Sequence, residues 1–283
     1  MRQFILVTAI LLAVCTCTGA QPATFPRYSI FNTEIRFLYS AEVGRMFKLF
    51  INLPRDYQVE TDRQYPSLYM VDPAAHFGMM TDIQRLLEDG KDIEPILTVG
   101  VGYETIVIDS LIKYRTIDLT PTETEDGTGG AESFLRFFET ELIPFIEAEY
   151  RVDPSSKGIW GGSYGGLFGT YALLTKPDLF DRYMLNSPVP GYGDGVMFRL
   201  VEALGRRRDS LDAKVYFAVG GEENPDWIIA PTQKLAGQLT ATGIDGLEVE
   251  VDVVAGETHA SIGPIGITRG LMRMYPRSQG WFD

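Results

Sequence analysis

The chain has 283 residues, 45% of them hydrophobic, with 38 acidic against 25 basic side chains and a formal net charge of -13. That composition is globular and excludes disordered, collagenous and coiled-coil architectures, while the acidic balance leaves no basic stripe for a nucleic-acid backbone, so no nucleic-acid partner is expected. Two His (His76, His259) and two Cys (Cys15, Cys17) are too few soft ligands for a structural zinc site or an iron–sulfur cluster, and neither a metal nor a cofactor is expected.

The elements follow in chain order. Arg2 precedes an apolar run from Phe4 to Val14, then Cys15-Thr16-Cys17-Thr18-Gly19-Ala20. This run is too short to span a bilayer and reads as a secretory leader over 1–20, cleaved before Gln21 and placing the protein in the periplasm or outside the cell. Lipoprotein processing at Cys15 is the alternative, and a membrane partner is expected only in that case. Residues 21–283 are expected to form one domain.

Within it, short β-rich runs alternate with amphipathic helical runs, the pattern of a mostly parallel central sheet flanked by helices. Strands are expected at Met46–Leu53, Ser67–Val71, Ile96–Val101, Gly158–Trp160, Arg182–Asn186, Val215–Val219 and Leu247–Val254. Helices are expected at Gly78–Glu88, Ala131–Tyr150, Tyr164–Thr175, Val196–Leu204 and Thr232–Thr240. The helix from Ala131 carries Phe134, Leu135, Phe138, Leu142, Phe145 and Ile146 along one stripe. The stretch Thr33–Leu53 has no helix between its strands and reads as an antiparallel N-terminal edge. Glu104–Gly130, Thr-rich and acidic, reads as a long loop, either beside the substrate or disordered.

The chemistry begins at Gly161-Gly162-Ser163-Tyr164-Gly165, a Gly-x-Ser-x-Gly motif that follows an apolar strand and opens a helix. This is the setting of a nucleophile elbow, in which a sharp turn leaves no room for side chains two residues either side of the serine. A phosphate-binding turn would carry a Lys after its glycines or G-x-G-x-x-G spacing, and neither is present. A serine hydroxyl needs a base. In the α/β-hydrolase order of nucleophile, acid and histidine, His259 is the one histidine downstream of Ser163. The opposite order, beginning at His76, belongs to a double β-barrel that the strand–helix alternation contradicts.

The acid is expected in Gly221-Glu222-Glu223-Asn224-Pro225-Asp226, after the penultimate strand. Glu223 fits a strand-Gly-x-x-acid pattern, with Asp226 and Glu222 as alternatives. The oxyanion hole needs two N–H donors: Tyr164, after the nucleophile, and a residue of Asp72-Pro73-Ala74-Ala75, where Pro73 has no N–H. Ala74 is the expected donor and Ala75 the fallback; His76 either lines the pocket or is structural.

From Tyr65 to His259 the chain resembles the putative-esterase family of α/β-hydrolases, in the branch of the enterobactin-type siderophore esterases. The resemblance rests on Leu68-Tyr69-Met70-Val71-Asp72, Arg115-Thr116-Ile117-Asp118-Leu119-Thr120-Pro121, Gly129–Leu135, Glu141–Ile146, Gly161–Gly169, Pro177–Tyr183, Ser187-Pro188 and Val219-Gly220-x-x-Glu223. It implies the α/β-hydrolase fold, catalytic positions at Ser163 and His259, an acid at Glu223, and hydrolysis of carboxylic esters. The wider fold also holds feruloyl and acetyl-xylan esterases and mycolyltransferases. The substrate is accordingly expected to be a small-molecule or carbohydrate-linked ester, with an acyltransferase or a silent binding protein as the alternatives. Two departures stand out. Pro73 replaces the usual Gly after Asp72, and Val189-Pro190-Gly191-Tyr192 replaces a segment with tryptophans on which flat catecholate groups could stack.

Overall fold

The computed structural model describes residues 29–105, 107–124 and 127–277. The expected leader, with Cys15 and Cys17, lies outside these residues. Eight strands form one sheet: β1 (Thr33–Ser40), β2 (Arg45–Asn52), β3 (Tyr65–Val71), β4 (Leu97–Tyr103), β5 (Val152–Gly162), β6 (Arg182–Asn186), β7 (Ser210–Gly220) and β8 (Asp245–Val254). Their spatial order is β1-β2-β4-β3-β5-β6-β7-β8. β1 pairs antiparallel with β2, and β2 antiparallel with β4; every pairing from β4 through β3 to β8 is parallel. The expected antiparallel edge on a parallel sheet is therefore the observed architecture.

The inner parallel strands β3 and β4 are apolar because helices cover both faces. β3 is buried at every position, as is β4 from Leu97 to Gly102. The helices are α1 (Pro73–Asp89), α2 (Ile108–Leu119), α3 (Ala131–Phe137), α4 (Ile143–Glu149), α5 (Tyr164–Thr175), α6 (Tyr192–Arg207), α7 (Ala230–Ala241) and α8 (Ile262–Met274). The expected helix over 131–150 is present, with a single wide π-turn at Phe138–Leu142 between α3 and α4. Among the described residues no helix is long and apolar enough to cross a membrane.

Four expectations need correction. The loop expected over Glu104–Gly130 contains α2, whose Ile108, Leu111, Ile112 and Arg115 recur at helical spacing within an otherwise polar stretch. α1 starts at Pro73, five residues before its expected start, because proline suits the first turn of a helix. α6 starts at Tyr192, and its Gly193, Asp194 and Gly195 adopt left-handed backbone before the regular helix begins. α8 was not expected at all; its buried stripe, Ile267, Gly270, Leu271 and Met274, packs on the sheet beside Met184 and Tyr216.

An aromatic cluster joins the antiparallel edge to the helix behind the nucleophile. The Phe134 ring lies 5.5 Å from Phe47 on β2, 5.0 Å from Phe168 on α5 and 5.1 Å from Phe138, edge to face with the last. All four rings are buried, so this cluster contributes both transfer free energy and ring–ring contact. Phe134→Ala should lower unfolding stability by about 3–5 kcal/mol. Chemical denaturation would register this as a lower midpoint with an unchanged slope; a loss under 1 kcal/mol would mean that the edge docks independently of the cluster.

Candidate active site

The carboxyl ends of the parallel strands carry the chemistry-bearing residues. Ser163 stands between the end of β5 and the start of α5 with φ 57 and ψ -119, a backbone conformation that L-residues rarely adopt. Its N–H donates to the Asn186 carbonyl on β6 at 2.9 Å, and its own carbonyl accepts from Leu167 N–H at 2.9 Å. The neighbouring glycines are a steric necessity, since a Cβ on Gly161 would stand 2.2 Å from the Gly165 carbonyl oxygen. The turn has the strained backbone and glycine contact that the motif implies.

The acid and the histidine meet. His259 Nδ1 lies 2.6 Å from Glu223 Oε2. The other carboxylate oxygen, Oε1, accepts from Gly220 N–H at 2.7 Å and from the Ser187 hydroxyl at 2.5 Å. The Glu223 side chain is 1% exposed, whereas that of His259 is 49% exposed. Glu222 and Asp226, the two alternatives, are exposed to solvent. Asn224 caps the turn that follows: its side-chain oxygen accepts from the N–H groups of Asp226 and Trp227 at 3.0 and 2.9 Å.

Backbone bonds between the two loops hold this pair. Gly221 N–H donates to Val254 at 2.7 Å and Glu222 N–H to Glu257 at 2.9 Å, pinning the loop after β7 to the loop after β8. Gly220 allows the approach, because a Cβ there would stand 2.4 Å from the Glu257 carbonyl. Thr258 and Ser261 close a short turn around His259, with Thr258 N–H donating to Ser261 Oγ at 2.8 Å.

The electrostatics follow from these contacts. Burial would raise the Glu223 carboxyl, but bonds from His259, Ser187 and the Gly220 N–H outweigh it and hold the pKa below the usual glutamate value. For His259 the hydrogen bond to Glu223 dominates over burial and raises the pKa above that of an ordinary histidine, with the Arg115 charge acting weakly against it. With Nδ1–H committed to Glu223, the neutral ring presents Nε2 as its basic nitrogen.

The turn after β3 carries the residues expected to hold an oxyanion. Asp72 is left-handed (φ 58, ψ 42), and Pro73 opens α1 immediately after it. Ala75 N–H donates to the Asp72 carbonyl at 3.2 Å, which commits the fallback donor. Ala74, one residue earlier, lies in the first turn of α1, where N–H groups have no intrahelical acceptor. His76 packs its ring 5.0 Å from Trp160 and borders a cleft of about 700 Å3.

Two residues quoted only as family matches acquire positions here. Arg115, on α2, donates from Nε to Asp72 Oδ2 at 2.8 Å and from Nη2 to the Gly162 carbonyl at 3.4 Å, and its guanidinium lies 5.3 Å from the Tyr164 ring centroid. It thereby joins the Asp72–Ala74 turn to the nucleophile turn. Burial pushes the Asp72 carboxyl up, and Arg115 opposes that shift. The sequence signal for Arg115 was its spacing from Ile108, Leu111 and Ile112. Ser187, in left-handed backbone at φ 43, offered no such signal beyond following an apolar strand.

The comparisons agree with this fold. The family model described as putative esterase matches residues 40–251. The chain is 29% identical over 261 residues to the ferri-bacillibactin esterase BesA of Bacillus subtilis, covering 86% of this chain and 90% of that protein. Among solved structures, the BES protein from Bacillus cereus superposes with a TM-score of 0.80 at 26% identity, covering 90% of this chain and 99% of that one. An IroE-like serine hydrolase from Shewanella oneidensis gives 0.75 at 25% identity, covering 86% and 80%. The chain belongs to the putative-esterase family of α/β-hydrolases, in the branch that holds the siderophore esterases, and is a serine esterase.

Proposed function

We propose that Ser163 is the nucleophile, His259 the general base and Glu223 the carboxylate that orients it, with the oxyanion held by the N–H groups of Tyr164 and Ala74. The observation that carries this reading is the 2.6 Å Glu223–His259 hydrogen bond at the same sheet end as the strained Ser163 turn. His259 takes the Ser163 proton as the hydroxyl attacks the ester carbonyl, and Glu223 stabilises the resulting imidazolium. The tetrahedral oxyanion is met by N–H groups at the starts of α5 and α1, where helix termini favour negative charge. His259 then returns the proton to the leaving alcohol, and water, activated by the same histidine, releases the acid from Ser163. The substrate is a small-molecule carboxylic ester.

A fluorophosphonate probe should label Ser163 alone, and Ser163→Ala should lose about three orders of magnitude or more in kcat while keeping its thermal transition. Labelling that persists in the alanine variant would place the nucleophile elsewhere.

The pH dependence tests the acid. Only neutral His259 can accept a proton, and its bond to Glu223 favours the charged form. Activity should therefore fall, as pH is lowered, through an apparent pKa above the ordinary 6.5. Glu223→Gln removes the cause of that elevation, so the limb should move to lower pH while kcat drops by more than tenfold, about 1.4 kcal/mol. Glu222→Gln and Asp226→Asn should leave both quantities close to those of the parent. A limb that stays fixed in Glu223→Gln would remove the carboxylate from this role.

A further inference from the structure

A second cavity wall adjoins the site without containing Ser163 or His259. The 700 Å3 cleft lies between the sheet edge, contributed by Phe37 on β1 and Phe50 on β2, the first turn of α1, and Ile108 and Ile112 of α2. Its size is that of a small-molecule site, for which about 300–1,000 Å3 is usual. Two of its lining residues also connect to the proposed reaction centre. Ala74 belongs both to the cleft wall and to the first turn of α1, and Arg115, in the same wall, reaches the Gly162 carbonyl next to Ser163.

The lining is unusual for a surface. Phe37 is 52% exposed, Ile108 64% and Ile112 56%, so three large apolar side chains from two separate elements share one cleft and leave most of their surface to water. Scattered single residues of this kind are common, but a shared concave patch marks a binding surface. The cleft's ionisable side chains do not build an anion cradle. Lys48 and Arg115 are matched by Glu104 and Asp72, Arg115 is bound to Asp72 at 2.8 Å, and Lys48 Nζ rests 5.1 Å from the Phe50 ring centroid. An anionic group entering here would lose hydration with no net positive field to replace it.

We propose that this cleft takes the bulky apolar group of an uncharged ester, so that the enzyme selects neutral lipophilic esters over polyanionic ones. This rests on the Ser163 esterase reading. With the carbonyl oxygen on Ala74 N–H, one substituent of the carbonyl carbon enters the cleft, and each methylene buried there should raise kcat/KM by about threefold to fourfold until the cleft is full.

The experiment uses the whole enzyme with two ester series. One is p-nitrophenyl acetate, butyrate, hexanoate and octanoate, with the p-nitrophenyl monoester of suberic acid as an anionic counterpart of the octanoate. The other is ethyl, butyl and octyl acetate. A rise of at least tenfold in kcat/KM along either series supports the proposal and tells whether the acyl or the alcohol side enters the cleft. The suberate should be at least tenfold poorer than the octanoate if the acyl side enters. Ile108→Asp and Ile112→Asp, both on exposed helix surface, should lower the ratio of long-chain to short-chain efficiency at least fivefold. Val59→Asp, an exposed apolar residue outside the cleft, should leave the ratio as it is. Flat profiles in both series, or a ferric tris-catecholate triester hydrolysed more efficiently than every neutral ester, would overturn the assignment. If Ser163 is labelled by the fluorophosphonate and acetate is turned over, such a result overturns the cleft alone; absence of Ser163 labelling would instead remove the esterase mechanism on which it stands.

Discussion

A buried negative charge governs the catalytic end of this sheet. Glu223 is almost fully withdrawn from water, and an ionised carboxylate there is tolerated only if hydrogen-bond donors replace its hydration. Three do so: the Gly220 backbone, the Ser187 hydroxyl and His259. Each donor constrains a different strand end. Gly220 terminates β7, Ser187 follows β6, and His259 follows β8, so satisfying one carboxylate sets three loops relative to one another. The left-handed backbone of Ser187 belongs to the same arrangement, since its N–H is simultaneously held by the Ala218 carbonyl at 2.8 Å. A strained residue that bridges two strands in this way persists because its neighbours over-determine it.

The turn after β3 is held by a second ion pair with a different character. Arg115 and Asp72 are partly buried, and each bonds to something besides its partner's charge or sits in a strained turn: the guanidinium reaches Gly162, while Asp72 carries left-handed backbone. Breaking such a pair leaves one charge uncompensated in a poorly hydrated place, which costs more than making the pair contributes. Pro73 suits this arrangement, because its fixed φ is already helical and α1 can begin directly after the Asp72 turn.

How much of this the sequence revealed depends on how local each determinant is. The elbow was legible because its requirement is local: Gly161 and Gly165 must touch, and the pattern names both. Glu223 was legible to within three carboxylates, since spacing after β7 places all of them in one loop and only tertiary donors separate the buried one from Glu222 and Asp226. The helix holding Arg115 was missed because the apolar face it shares with Arg115 is only Ile108, Leu111 and Ile112 and looks toward a cleft rather than the core; the acidic, Thr-rich residues after it masked the period. α8 was missed for the opposite reason. Glycines at 263, 266 and 270 depress helix propensity, yet Gly266 and Gly270 are what lets this helix lie close against Asn186, Met184 and Tyr216. Neither helix could have been ranked by propensity alone.

The order of the groups along the chain has a consequence for how such an enzyme can change. The residues placed as nucleophile, acid and base, together with Ser187, fall within 163–259, on consecutive strands β5 to β8. The apolar cleft and Ala74 come from 37–115, on β1, β2, β4, α1 and α2. The proposed nucleophile, acid and base and the apolar cleft thus lie on separate stretches of polypeptide, joined near the centre of the sheet where β3 meets β5 and where Arg115 touches Gly162. A lineage could exchange or remodel the amino-terminal stretch by recombination and acquire a new range of esters while inheriting Ser163, Glu223 and His259, provided that the new stretch again offered an N–H in the place of Ala74 and a basic residue kept its grip across that seam.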